Sequence, residues 1–139
     1  MLVRIINWTL AAVFPSTASL PGLDQVDCRA ELEEILATAP HGFKLGLYGA
    51  TALFLLSPLV TVFWPVPAPL LSRAALDRHA DRLANHPIYL MRQAMLLLKT
   101  VGGMVWGAHA NVRKALSLAP LAADPGTWKS GDGAVGGGT

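Results

Sequence analysis

Charge and cysteine are what this sequence has least of. Only 14% of its 139 residues are charged, against about 25% in an ordinary globular domain. Eleven Lys and Arg face nine Asp and Glu, for a formal net charge of +2. The bases are scattered among acids and form no stripe, so no nucleic-acid partner is expected. The lone cysteine, Cys28, excludes an internal disulfide, a cysteine-based zinc site and a CxxCH haem attachment. It lies in the acidic amphipathic stretch DQVDCRAELEEIL and reads as a small buried residue. Metal-ligand spacings such as HExxH are missing, and His41, His79, His86 and His109 read as surface or helix-capping residues. GLYGA at 46–50 is not followed by Lys-Ser/Thr and is no phosphate loop, and no Ser/His/Asp order stands out. Asp77 and Asp81 share a helical face with arginines, which is the pattern of a solvated ion-pair ladder rather than of a catalytic pair. No catalytic, cofactor-binding or metal-ligating residue is therefore nominated, and the chain by itself is not expected to be an enzyme.

The N-terminus carries no twin-arginine pair, and Asn7, Trp8 and Thr9 interrupt the apolar run that a signal peptide would need. It reads as the first helix of the fold. A cytoplasmic or membrane-associated location is thus favoured over a secreted one.

What the chain has in abundance is apolar side chains, at 53% of residues. Such a composition can bury a core, and the length suits one domain. Helices are expected over 2–14, with Leu2, Ile5, Ile6, Leu10 and Val13 along one face, and over 25–38, capped by Asp24. Ser72 caps a charged helix over 73–84 whose Ala74, Leu76, Ala80 and Leu83 face inward. Asn85-His86-Pro87 then stops it and starts a helix over 87–107, followed by a short one over 110–118. The expected fold is all-α: one compact domain of five to six helices over 1–120, with a flexible Gly-rich tail over 121–139.

Between Leu45 and Ser72 there is no charge, and LGLYGATALFLLSPLVTVFW (45–64) has the twenty residues needed to span a bilayer as a helix. Pro58 divides the run, and apolar segments shorter than a span are usually core helices. PVPAP then predicts an extended surface link. Both readings stand at this point: a kinked span, making the chain a small membrane anchor or scaffold, or a core and interface helix. In the first case Trp64 would mark the bilayer boundary.

The 87–107 helix is apolar nearly all round. Arg92 and Lys99 lie seven residues apart on one face, and Gly103-Met-Val-Trp-Gly107 is a GxxxG that permits close helix approach. Trp64, Trp106 and the other tryptophans, Trp8 and Trp128, suit an interface or a membrane belt.

The order of these features resembles a known family. The telling pieces are SLPGLDQVDCRAELEEILA, the helix LGLYGATALFLLSPL, and a PxPxPLS link into LDRHADRLANHPIYLMRQAMLLLKTVGGMVWGAHANVRKALSL. Together, over about 2–118, they look like the gluconate 2-dehydrogenase subunit 3 type of small subunit. That subunit accompanies glucose–methanol–choline (GMC-type) flavoprotein oxidoreductases. Secreted members commonly begin with a twin-arginine signal, absent here, and Val105–Ala110 stands where an aromatic patch is common. The resemblance implies an all-helical, non-catalytic accessory subunit with no cofactor of its own. Its partner would be a large subunit carrying FAD and acting on an alcohol-type substrate, with a membrane surface as a second candidate partner. Arg92 and Lys99 would pair with acids of that partner, and Gly103, Trp106 and Gly107 would allow close helix contact.

Overall fold

The computed structural model describes residues 1–63, 65–120 and 122. Trp64, Trp128 and, apart from Ala122, the tail expected over 121–139 lie outside the described residues. Every regular element among the described residues is helical. In order these are α1 (Leu2–Val13), α2 (Arg29–Thr38), α3 (His41–Leu56), α4 (Pro58–Thr61), a 3-10 turn (Ala68–Leu70), α5 (Arg73–Ala84), α6 (Tyr89–Ala108) and α7 (Ala110–Ala115). The all-α expectation is met; α4 is the element beyond the five to six expected.

The longest helix is also the central one. Ala94, Met95, Leu98, Val101, Gly102 and Val105 of α6 are buried at three- and four-residue intervals, the spacing of a continuous inner face. That face packs against α1, α2, α3, α5 and α7. The core it organises is built from Ile6, Leu10, Leu32, Leu47, Phe54, Leu83 and Leu98, with Phe54 the largest of the sealed side chains.

Proline and serine act where the sequence suggests. Pro58 loses no intrahelical bond at the first position of α4, so α3 ends at Leu56 and a new turn begins through Ser57. The charge-free run is thereby cut into two helices. No helix among the described residues is long and apolar enough to cross a membrane. Ser72 caps α5, its Oγ accepting from Ala75 N at 3.4 Å.

Three local expectations are corrected. Asp24 does not cap α2, which starts at Arg29 behind Cys28. Its carboxylate is committed across the loop instead, accepting from Ser16 N at 2.9 Å and Ser16 Oγ at 3.0 Å. The loop closes because Leu23 N donates to the Phe14 carbonyl at 2.9 Å, folding residues 14–24 back on themselves. Gly22 makes this approach: a Cβ there would collide with the backbone of Pro15 and Ser16. Second, the link after Phe63 does not simply run over the surface. Ala68 is fully buried and the 3-10 turn packs on α3. Third, α1 buries Ile6, Thr9, Leu10 and Ala12, while Leu2 is exposed. The inner face is rotated relative to the expected one, and Thr9 enters the core at little polar penalty because its hydroxyl donates to the Ile5 carbonyl at 3.0 Å.

Candidate functional site

Four exposed apolar side chains fall close together in the chain where α3 gives way to α4. Leu56 is 73% exposed and Phe63 78%, and Leu59 and Val60 between them are also exposed. Phe63 has a left-handed backbone (φ 60°), which is unfavourable for a bulky residue. Val60 and Phe63 share a depression of about 340 Å³ with Thr61, Asp81, Arg82, Asn85, His86 and Pro87, so the apolar pair has a polar wall opposite it. Ile88, Tyr89 and Leu90, which follow Pro87, are exposed as well. The α4 turn is therefore an apolar end of the molecule with a polar border toward α5 and Pro87.

Beneath this end lies a buried polar node. His79 on α5 is fully buried, contrary to its reading as a surface or capping residue. Its Nε2 is 2.8 Å from the Phe54 carbonyl at the end of α3. A carbonyl only accepts, so Nε2 carries the proton, and Nδ1 accepts from the Thr61 hydroxyl on α4. Phe54 and His79 also pack ring against ring, 4.7 Å between centroids. Arg82 completes the node by donating from Nη1 to the Thr61 carbonyl at 2.6 Å. One helix, α5, therefore fastens both ends of the α3–α4 break. Burial pushes the His79 imidazole below its ordinary pKa, opposed by its hydrogen bond to Phe54. Spacing could have placed it: His79 lies three residues after Leu76 and four before Leu83, on the inner stripe of α5. His109 caps α7 as expected, its Nδ1 accepting from Asn111 N, and His86 Nδ1 accepts from Ile88 N in the turn that leads into α6.

The residues nominated from sequence are dispersed along α6. Arg92 is exposed, but its Nη1 already donates to the carbonyls of His86 at 2.8 Å and Pro87 at 3.0 Å. Its guanidinium also lies 5.8 Å from the Tyr89 ring centre. Lys99 is exposed. Trp106 is committed inward: its Nε1–H donates to the Pro21 carbonyl at 2.8 Å, clasping the 14–24 loop. Gly103 and Gly107 line a groove of about 460 Å³ with Glu31, Glu34, Ile35 and Met104. A Cβ at either glycine would meet nothing within 4 Å, so no helix among the described residues packs closely on the GxxxG. The glycine that the fold does need is its neighbour, Gly102, pressed against the Phe14 ring. Trp64 lies outside the described residues.

No family model, no curated protein and no solved structure matches this chain.

Two reactive groups are closed to solvent in this fold. Cys28 is fully buried, and burial, with Glu31 and Asp27 adding, pushes its thiol up to about 12. At neutral pH it is a thiol, not a thiolate. His79 has both nitrogens engaged. Asp27, by contrast, is exposed and bonded to Arg29 through Nε at 2.8 Å and Nη2 at 2.6 Å, which holds its carboxyl at about 2. Among the described residues no group of three or more His, Cys, Asp or Glu is placed to hold a metal ion. Of the expected ion-pair ladder on α5, Arg73–Asp77 forms at 2.7 Å. Arg82 turns to Thr61 instead, and Asp81 receives Asn85 Nδ2 at 3.3 Å.

Proposed function

We propose that this chain is a non-catalytic accessory subunit that stabilises a larger protein by burying its apolar end against it. The observation that carries this is the exposed Leu56–Leu59–Val60–Phe63 cluster on one short stretch of chain. Exposed apolar patches of this kind on a protein with a complete core of its own are characteristic of interaction surfaces. The node of His79, Thr61 and Arg82 holds the cluster in one shape, which reduces the entropy lost on binding. The finer reading comes from the sequence resemblance. The partner is a GMC-type FAD-dependent oxidoreductase acting on an alcohol-type substrate, and the FAD is carried by that partner.

The test is affinity purification of the tagged chain from its native cell in mild detergent, with mass spectrometry and an absorbance spectrum of the eluate. A co-eluting flavoprotein with flavin absorbance is expected. Its absence, with the chain recovered alone, overturns the reading. Phe63→Ser combined with Leu59→Ser should lose the partner while the fold, whose core these side chains do not enter, is kept. Gly103→Ala and Gly107→Ala probe the open glycine face without disturbing the fold, since a Cβ at either position meets nothing within 4 Å.

A further inference from the structure

A second surface lies across α1. A cleft of about 590 Å³ opens between α1, the turn over 23–29 and the start of α5. Four charged groups at this cleft are accounted for within the chain. Asp27 holds Arg29 through two hydrogen bonds, Asp24 is taken up by Ser16, and Arg73 pairs with Asp77 at 2.7 Å and donates to the Ala12 carbonyl at 3.2 Å. Three other polar side chains lining it, Arg4, Asn7 and Gln25, make no hydrogen bond or ion pair among the described residues. Beside them stands Trp8, only partly buried. Across Arg4 and Trp8 a second depression of about 630 Å³ continues the surface, and its far side is apolar: Met1, Ile5, Leu55 and Pro69.

Each of these groups selects something different. A free guanidinium calls for a carboxylate. A side-chain amide has one acceptor and two donors, the complement of a peptide group. The Trp8 indole and the Leu55–Pro69 side call for an apolar side chain. One ligand meets all three demands at once, an extended stretch of polypeptide with an acid next to apolar residues. Trp and Arg are also the residue types that most often anchor protein partners.

We infer that the groove across α1 receives an extended segment of a partner polypeptide, with an acidic side chain on Arg4 and an apolar one beside Trp8. This rests on the reading above only in that the chain works bound to another protein.

The test uses the full 15N-labelled chain, observed at the Trp8 indole N–H, the Arg4 Nε–H and the side-chain amides of Asn7 and Gln25. The probes are acetyl-Leu-Leu-Glu-Leu-amide, the same peptide with Gln or Lys in place of Glu, and glutarate alone. The Glu peptide should shift all four groups saturably. The Gln peptide, or Arg4→Gln in the protein, should weaken binding by about tenfold, the loss of one hydrogen bond to a charged group. The Lys peptide should leave them unmoved. Arg4 is exposed, so Arg4→Gln should leave the remaining spectrum in place. No saturable shift with the Glu peptide, an equal response to the Lys peptide, or glutarate binding as tightly as the peptide each overturns the inference. In the affinity purification, undiminished recovery of the partner by Arg4→Gln also overturns it and leaves the accessory reading intact. A wild type that binds the Glu peptide but recovers no flavoprotein does the reverse.

Discussion

Two adjacent glycines on α6 should respond in opposite directions to the same added methyl group. Gly102 and Gly103 both lie inside a twenty-residue helix, so replacing either with Ala gains about 0.5–1 kcal/mol of helix stability. At Gly103 nothing opposes that gain, because the new Cβ meets no atom within 4 Å. At Gly102 the Cβ would sit 2.7 Å from Phe14 Cδ2 and closer still to Cε2, so the ring must move. Overpacking of this kind costs about 1–3 kcal/mol. Net of the helix gain, Gly102→Ala should lose up to about 2.5 kcal/mol, while Gly103→Ala gains about 0.5–1 kcal/mol. Urea unfolding followed by far-ultraviolet circular dichroism would resolve the difference, and thermal midpoints should separate by several degrees. Gly102→Ala as stable as Gly103→Ala would refute the reasoning. It would mean that Phe14 does not fix the distance between the end of α1 and α6.

Acidification should destabilise the fold through His79. Its native pKa is lowered relative to the unfolded chain, so the unfolded state binds the proton first. The contribution is complete above about pH 6.5 and declines as pH falls below it, by up to about 1.4 kcal/mol per pH unit. His79→Gln should flatten that slope between pH 7.5 and 5 in urea titrations. Cys28 should resist iodoacetamide in the native protein at pH 8 and react at the rate of a free thiol in urea, because burial both shields the thiol and keeps it protonated. Phe54→Ala should lose about 3–5 kcal/mol, a large share of the ~5–15 kcal/mol that holds a domain together. Urea unfolding should report that loss as a lowered midpoint, and a loss under about 1 kcal/mol would show that the site collapses around the missing ring.

How far the sequence reveals this molecule depends on whether a signal is local. Pro58 and Ser72 act through their own backbone neighbours, and both mark real boundaries. Asp24 is as good a cap by residue type, but its carboxylate has a competitor eight residues upstream in Ser16, and spacing rules do not see across a closed loop. His79 was masked by the charged residues around it on α5. Its position between Leu76 and Leu83 was the available cue, but its acceptor and donor come from two other helices. The GxxxG shows the same limit. The motif is legible at Gly103 and Gly107, while the glycine in close contact, Gly102, belongs to no motif and is identified only by Phe14, far away in the chain. The apolar end was legible as an uncharged run. Which of its residues face out was not, because Leu47 and Leu56 differ only in where α6 lies.

The clasp between Trp106 and Pro21 also has a consequence in time. It joins positions 85 residues apart, and α1 lies against α6. At about 5–20 residues per second of synthesis, roughly 4–17 seconds pass between the two halves of that contact. Through that interval Ile6, Leu10 and Leu23 have emerged without the helix that finishes covering them. The first third of this protein is therefore made early and completed late, and its apolar face is open to any binder that reaches the growing chain before α6 does.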